Sequence, residues 1–270
     1  MISAEQMNTY YREGYAILED VIPSEQLAQV QQSYEETIEA ALRLGLAKRD
    51  GGTGFLQGHR FQNPHHPALA QRALMEALSA PTIMEFAHQI FADDIVLHGI
   101  AAFAMNRAFD YQGRWHRDSY EAWGKDSPAE KRVRLMDKMP ATQILLALED
   151  DECFWFVPRS HNRANSAEEE ARFVEQRTGS EELFTGAVQL QLRAGSAVPF
   201  DARGIHRGLK FPGEVRRSLF IVYGTGEEVR HSPISDWARE PDYAQEQYLG
   251  ALPEAFRRAA ERTIELLKGD

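Results

Sequence analysis

The chain has 270 residues, of which 43% are hydrophobic and 26% charged, so it can bury a sizeable core and is not a disordered polymer. Its formal net charge of −11 argues against general binding to a nucleic-acid backbone, although a local basic pocket for an acidic small molecule is compatible with it. The one cysteine, Cys153, cannot form an intrachain disulfide, and no secretion signal or membrane-spanning run is expected. We therefore expect a cytoplasmic protein without a membrane or nucleic-acid partner.

The first part of the chain, about residues 1–92, is predicted to be helical. From Ser24 onward, apolar residues recur every three or four positions as far as Leu42, a spacing that predicts an amphipathic helix. Residues 67–91 predict two shorter helices with a break near residues 79–81.

The middle of the chain, about residues 93–225, changes to short segments that are typical of strands. These segments are rich in β-branched, aromatic or alternating apolar residues, and polar or Gly/Pro breaks separate them. They are 95–105, 142–148, 153–157, 187–192, 196–200 and 217–223.

Two further helices are predicted around and after these strands. Segment 166–176 has Ser166 and Glu169 at the spacing of a capping box. Segment 253–268 has an apolar face and predicts a closing helix in a C-terminal extension of about residues 226–270. The simplest architecture is one domain over residues 1–270, mainly β, in which helices flank a two-sheet barrel or jelly roll.

A His-x-Asp pair at His116 and Asp118 is the most informative feature of the chain, together with His206 ninety positions later. Residues i and i+2 of a strand point the same way, so His116 and Asp118 can reach one metal while Arg117 points away. Two imidazoles and one carboxylate form the facial triad of non-haem iron(II) oxygenases. Taken singly, each of these residues is more often structural, and the joint pattern favours the metal site.

An arginine pair, Arg216 and Arg217, follows His206 after a turn-like stretch at 207–214. An arginine at the head of a buried strand is costly unless it meets an anion, and a guanidinium binds a carboxylate through two parallel hydrogen bonds. A triad with a nearby arginine suits 2-oxoglutarate, which chelates iron at one end and needs a cation at the other. Periodicity does not choose between the two arginines, because both faces of 217–223 are apolar.

Five blocks of the chain occur together in the order of one enzyme family. They are 12–20 (REGYAILED), 115–118 (WHRD), 157–161 (VPRSH), 195–208 (GSAVPFDARGIHRG) and 215–219 (VRRSL). Over about residues 10–225, the chain thus resembles the phytanoyl-CoA dioxygenase (PhyH-like) family of iron(II)- and 2-oxoglutarate-dependent oxygenases. The resemblance implies a double-stranded β-helix, the cupin-like jelly roll.

The resemblance also implies roles for individual residues. His116, Asp118 and His206 would hold Fe(II). Arg216 would bind the distal carboxylate of 2-oxoglutarate, because the first arginine of the pair best matches the family position. Other positions, each of which could equally serve packing, are Gln143 and Thr142 near the cosubstrate, Asn106 at the pocket and Trp123 shortly after the HxD block.

The chain departs from the family pattern in the 157–161 turn and before the strand at 153–157. Arg159 replaces a glycine, and two readings are open: it presents a cation to an acidic substrate, or it faces solvent. The usual Asn-Gly is absent at 151–153. We expect His161 to stabilise its turn rather than bind metal, and we expect His65 and His66 to lie in a loop without partners.

The expected reaction consumes 2-oxoglutarate and O2, releases succinate and CO2, and hydroxylates an unactivated C–H bond of a small-molecule metabolite. The carboxylate of Asp118 favours this outcome over halogenation, since related halogenases have a small residue there. Two alternatives stay open, a cupin-like metalloenzyme without a keto acid and a catalytically silent barrel that binds a small molecule or a partner protein. The substrate would be anionic if several nearby arginines faced the cavity, namely Arg107, Arg114, Arg117, Arg159 and Arg203. Oligomeric state cannot be read from the sequence.

Overall fold

The computed structural model describes residues 1–49, 56, 60–107, 110–118, 141–174 and 183–268, with backbone only for 172–174. The helices are α1 (Ala4–Glu13), α2 (Ser24–Arg43), α3 (Arg72–Leu78), α4 (Pro81–Phe91), α5 (Ala167–Val174), α6 (Gly226–Val229), α7 (Glu246–Ala251) and α8 (Glu254–Leu267), with 3-10 helices at Pro233–Arg239 and Pro241–Ala244. The strands are β1 (Arg60–Gln62), β2 (Val96–Met105), β3 (Tyr111–Gln112), β4 (Ala141–Ala147), β5 (Asp151–Phe156), β6 (Val188–Leu192), β7 (Ala197–Phe200), β8 (His206–Lys210) and β9 (Arg216–Gly224).

The strands form two antiparallel sheets that face each other as a jelly roll. One sheet has the order β1-β2-β9-β4-β7 and the other β3-β8-β5-β6. This arrangement confirms the predicted fold class, and each of the six predicted strand segments lies on an observed strand. The break between α3 and α4 and the helices α2, α5 and α8 are also confirmed, the capping box of α5 included, with Glu169 N donating to Ser166 Oγ at 3.2 Å.

The alternation of side chains along the strands separates two apolar layers. On one face of the five-stranded sheet, residues such as Ile144, Leu219 and Ile221 pack against the helices in the largest core cluster. On the other face, residues such as Leu145 and Phe220 point between the two sheets, where they contact aromatic residues of β5 and β7. The interior of the barrel is therefore apolar behind the site described below.

Three strands were not predicted from the sequence. The turn-like stretch predicted at 207–214 is confirmed only in its second half, with a turn at 212–213, because residues 206–210 form β8 and pair with both β3 and β5. The others, β1 and β3, have only three and two residues, too few for a period to emerge. None of the helices in the described part of the chain has the length and apolar character that crossing a bilayer requires.

Candidate metal and cosubstrate site

Backbone hydrogen bonds join the HxD block directly to the second histidine. His116 N donates to His206 O at 3.0 Å, and His206 N donates to His116 O at 2.9 Å, so the two residues form an isolated antiparallel bridge. Asp118 N donates to Ala202 O at 2.8 Å, a further contact between the two segments outside the register of this bridge. The main chain alone therefore brings residues that are ninety positions apart to one place.

The side chains of His116, Asp118 and His206 converge. The Nε2 atoms of His116 and His206 lie 3.4 Å and 3.8 Å from Asp118 Oδ1, and one donor atom from each residue lies within 4.8 Å of the others. Two imidazoles and a carboxylate are a donor set that suits iron(II). The residues present thus fit the metal that the sequence predicts.

Both imidazoles are held in the tautomer that a metal ligand needs. His116 Nδ1 lies 2.7 Å from Arg114 O, and His206 Nδ1 lies 2.9 Å from Gly204 O. Because a carbonyl can only accept a hydrogen bond, each Nδ1 carries the proton and each Nε2 keeps its lone pair. Such outer hydrogen bonds orient metal-binding histidines in proteins generally.

The electrostatics of the site favour a neutral histidine next to a charged carboxylate. Burial, with a smaller contribution from His116, lowers the pKa of His206 to about 4. Burial raises the pKa of the Asp118 carboxyl, but His116, His206 and the Gln143 amide outweigh that effect, so this pKa lies below its ordinary value. At neutral pH both groups are thus in the protonation state that binds a cation.

The softer predictions have different outcomes. The Gln143 side-chain amide donates to Asp118 Oδ2, so Gln143 holds a carboxylate of the triad. Thr142 points to the opposite face of β4, where its hydroxyl lies 2.8 Å from that of Tyr10 and donates to Phe200 O. This placement corrects the prediction that Thr142 contacts the cosubstrate.

Asn106 and Trp123 are the two other predicted positions. Asn106 is half-buried and follows β2 directly, so it lies near the end of a strand whose interior face lines the barrel. Trp123 lies outside the described residues.

The two arginines of the pair have different surroundings. Arg216 is 2% exposed, and its Nε donates to Asp151 Oδ2 at 2.9 Å. Arg217 lies toward the surface, where Nε donates to Glu35 at 2.5 Å. Burial therefore separates the two arginines, which periodicity could not do.

The anion that buried Arg216 was expected to meet is supplied in part by the chain itself. Asp151 is 1% exposed and also accepts from Cys153 N at 2.7 Å through its other oxygen. One guanidinium nitrogen of Arg216, Nη2, is nevertheless buried without a hydrogen-bond partner among the described residues. A buried donor without a partner is costly, so a ligand that accepts a hydrogen bond from this nitrogen would remove that cost.

Tyr111 and Gly208 complete the surroundings of Arg216, and the sequence analysis identified neither. A Cβ atom on Gly208 would lie 2.8 Å from the Tyr111 ring and 3.3 Å from Arg216 Nη1, so only glycine fits between them. The ring of Phe103 also contacts Arg216, with its centroid 5.3 Å from the guanidinium carbon. In the sequence, the only sign of this arrangement was the glycine at the end of the block at 195–208.

The turn at 157–161 supports the strand that carries His206. Ser160 Oγ accepts from Ile205 N at 2.7 Å, and His161 Nε2 lies 3.2 Å from Tyr11 O, outside the triad as expected. Arg159 retains the positive φ of a glycine turn, at 61°, and its guanidinium pairs with Glu13 at 3.0 Å. Arg159 is thus an exposed residue with a local partner, and it is not directed at a pocket.

Three other arginines near the motifs have partners elsewhere, and a fourth, Arg114, is exposed. Arg117 is 2% exposed and donates to the carbonyls of Ser160 and Arg203, each at 2.5 Å, which confirms that it points away from the triad. Arg203 pairs with Asp201 at 2.7 Å. Arg107 donates to Gly213 O at 3.4 Å, and Arg114 is exposed. These residues do not carry the expectation of an anionic substrate.

The prediction for His65 is confirmed only in part. His65 lies in a turn, and neither of its ring nitrogens has a hydrogen-bond partner among the described residues. It is nevertheless 0% exposed, with its ring centroid 4.7 Å from that of Trp237 and 5.3 Å from that of Tyr243, so it has packing partners that were not expected. The C-terminal extension supplies this aromatic cover, and a local sequence pattern could not reveal a contact between residues so far apart.

Comparisons with known proteins agree with this geometry. A family model described as phytanoyl-CoA dioxygenase (PhyH) matches residues 10–217. Ectoine dioxygenase of Nocardia farcinica (strain IFM 10152) is 23% identical to this chain over 262 residues, which cover 90% of the chain and 84% of that protein.

Solved structures with the same fold include two complexes with 2-oxoglutarate. EctD from S. alaskensis with 2-oxoglutarate and 5-hydroxyectoine aligns with a TM-score of 0.62 and 19% identity over 84% of this chain and 77% of that chain. HygX from Streptomyces hygroscopicus with nickel, 2-oxoglutarate and hygromycin B aligns with a TM-score of 0.59 and 14% identity over 83% and 88%. Since the family model spans most of the sequence, the chain belongs to the phytanoyl-CoA dioxygenase family of iron(II)- and 2-oxoglutarate-dependent oxygenases.

Proposed function

We propose that the chain hydroxylates an unactivated C–H bond of a small-molecule metabolite, consuming 2-oxoglutarate and O2 and releasing succinate and CO2. One observation carries this proposal: the converging donor atoms of the triad lie in the same barrel as a buried arginine that has an unpaired nitrogen.

His116, Asp118 and His206 are the residues that hold iron(II). When bound, the iron supplies the oxygen chemistry that couples decarboxylation of the keto acid to oxidation of the substrate. The protein supplies orientation: two backbone carbonyls fix the imidazoles, and the amide of Gln143 fixes the carboxylate of Asp118. These contacts set the donor atoms before the metal arrives.

Arg216 binds the distal carboxylate of 2-oxoglutarate. Asp151 holds Nε of this guanidinium and so directs its remaining nitrogens, of which Nη2 needs an acceptor. The rings of Phe103 and Phe220, with centroids 5.3 Å and 5.9 Å from the guanidinium carbon, keep water from this end of the pocket. In such a dry site a charge-assisted hydrogen bond is stronger than in water.

An apolar shell also surrounds the metal end. The ring centroids of Phe200 and Phe154 lie 5.1 Å and 5.9 Å from that of His206. Water is thereby kept from the inner side of the triad, and this limits side reactions of a strongly oxidising site. The carboxylate of Asp118 occupies the position that is small in halogenases, and this supports hydroxylation as the outcome.

The class of substrate follows from relatives in general terms only. A curated relative is named for ectoine, and a structural neighbour was solved with hygromycin B, so the family scaffold accepts chemically different small molecules. The rival readings, a silent barrel and a cupin-like enzyme without a keto acid, give no reason for the unpaired Arg216 nitrogen beside a complete triad.

The test uses anaerobically purified full-length chain, supplied with iron(II), ascorbate and 2-oxoglutarate and then exposed to oxygen with and without pooled metabolites. We expect iron-dependent binding of 2-oxoglutarate and succinate release, both lost in His116→Ala. His88→Ala is the matched control, since His88 is exposed on α4. If neither iron nor 2-oxoglutarate binds the unsubstituted chain or His88→Ala, the oxygenase proposal is wrong. Metabolite-stimulated succinate without a hydroxylated product would contradict hydroxylation.

A further inference from the structure

The short edge strand β1 contributes polar side chains to the inside of the barrel. Arg60 and Gln62 are paired with Phe103 and Ala101 of β2, so they lie on the same face of the sheet as the Phe103 ring that contacts Arg216. Phe61, between them, points to the other face and is buried in the helical core. The two polar residues therefore face the pocket side of the sheet.

Arg60 lies close to the candidate site. Its guanidinium carbon is 5.5 Å from the centroid of the Phe103 ring, and the guanidinium carbon of Arg216 is 5.3 Å from the same centroid. Partial burial lowers the pKa of Arg60, while the charge of Asp118 and the hydroxyl of Tyr111 raise it, so the guanidinium is within electrostatic reach of the triad. The ring of Phe103 thus contacts the guanidiniums of both Arg60 and Arg216.

The two cations differ in their partners. Arg216 is tied to a buried carboxylate, whereas no carboxylate lies within 4.0 Å of Arg60 in the part of the chain that the structure describes. The Gln62 amide accepts from Arg60 Nε at 2.7 Å when its oxygen faces the guanidinium, so the arginine is oriented without being neutralised. Arg60 is also exposed, so a ligand can reach it from solvent.

2-Oxoglutarate does not account for Arg60. The keto acid has two carboxylates, one at the metal and one at Arg216 in the proposed function, and both are then matched. We propose that Arg60, oriented by Gln62 and the Phe103 ring, binds a carboxylate or phosphate group of the substrate, so that the substrate is an anion. This inference rests on the proposed function. A local cation is what would draw an anion to a chain whose net charge is −11.

The experiment measures binding to the full chain in oxygen-free buffer with saturating iron(II) and 2-oxoglutarate. The probes are small carboxylic acids and phosphate monoesters, each beside its neutral amide or alcohol, and the arm that binds identifies the anionic group. Thermal unfolding finds ligands, because a ligand of the native state raises the midpoint, and titration calorimetry gives affinities. The variants are Arg60→Met, Arg60→Lys and the control Arg258→Met, an exposed arginine of α8.

We expect the unsubstituted chain to bind charged probes in preference to their neutral counterparts. Arg60→Met should lower the affinity for charged probes by about 10- to 100-fold, because a charge-assisted hydrogen bond is lost. The affinities for neutral probes and for 2-oxoglutarate should be unchanged. Arg60→Lys should restore part of the affinity, and Arg258→Met should match the unsubstituted chain.

Three results would overturn the inference. In the first, the unsubstituted chain binds no probe, or binds charged and neutral probes equally. In the second, Arg60→Met keeps the preference for charged probes. In the third, Arg60→Met no longer binds 2-oxoglutarate, which would assign Arg60 to the cosubstrate site. Failure of the proposed function has a different signature, since the unsubstituted chain would then show no iron-dependent binding of 2-oxoglutarate.

Discussion

Two buried histidines in different regions of the molecule differ in what would suit a histidine to bind a metal. His206 and His65 are 5% and 0% exposed, and burial lowers their pKa values to about 4 and about 3. His206 has one ring nitrogen on the Gly204 carbonyl and the other directed at Asp118. Neither ring nitrogen of His65 has a hydrogen-bond partner among the described residues, and its ring packs edge-on against Trp237.

Burial and neutrality are therefore common to both regions, and orientation is what differs. A carbonyl on one nitrogen fixes the tautomer, and converging donors give the other nitrogen a target. An aromatic surround offers neither.

His206→Ala should abolish iron-dependent binding of 2-oxoglutarate and succinate release. We expect iron affinity to fall by more than about 100-fold, because even losing a group that only orients a ligand costs up to that much. His65→Phe, which keeps an aromatic ring in the apolar cluster, should bind iron like the unsubstituted chain. Iron content after anaerobic reconstitution measures both. Normal iron binding by His206→Ala would remove this residue from the site.

Removing the charge of Arg216 should raise the 2-oxoglutarate KM by about 10- to 100-fold with a smaller change in iron affinity. Because the single change leaves Asp151 buried without its partner, the variant to measure is Arg216→Met with Asp151→Asn. Arg217→Met is the adjacent control, since Arg217 pairs with Glu35 on the surface. A raised KM in the control, with a normal KM in the double variant, would assign the cosubstrate to Arg217.

Gln143→Met should lower the affinity for iron(II) by about 10-fold, because it removes a contact that orients the Asp118 carboxylate. This decrease is smaller than the one expected when a residue of the triad is itself removed. Gln32→Met, on the exposed face of α2, is the control. Isothermal titration with iron(II) measures the difference. An unchanged affinity would show that Asp118 needs no second contact to hold its orientation.

The smallest effect at neutral pH concerns His65 and appears on acidification. Its folded pKa, about 3, lies below the ordinary histidine value of about 6.5, so the unfolded chain binds a proton that the folded chain does not. Its contribution to stability is complete above about pH 6.5 and decreases as the pH falls toward 3, by up to about 1.4 kcal/mol per pH unit.

His65→Phe should therefore have a flatter curve of unfolding free energy against pH between about 6.5 and 4. Urea denaturation at several pH values measures it, and the comparison cancels other groups that titrate in the same range, including His98. Parallel curves for the two proteins would mean that His65 titrates normally in the folded state.

The elements that the sequence predicted are those with a long enough period or a motif. The helix from Ser24 and the strand at 217–223 show a sustained pattern, and the i, i+2 spacing of His116 and Asp118 determines their common side whatever surrounds them. The pairing of His206 with His116 needed the family resemblance, since ninety residues separate them.

What could not be predicted depends on partners that are distant in sequence. Arg60 lies on a strand of three residues, Asp151 meets Arg216 only through the fold, and Tyr111 contacts the site through Gly208. Edge strands this short have no periodicity, and the register that aligns their side chains is a property of the sheet. His65 belongs to the same class, because its aromatic partners come from the end of the chain.

Arg117, the residue between His116 and Asp118, has a consequence for redesign of this protein. Arg117 donates to carbonyls at 160, 163 and 203 and to the side chain of Asn165, so it joins segments that are distant along the chain. A laboratory search for altered substrate preference should therefore leave position 117 fixed. Substitutions at position 117 would lower the yield of soluble, folded protein without changing substrate preference. Positions 60 and 62 can be randomised because the fold does not depend on them in the same way.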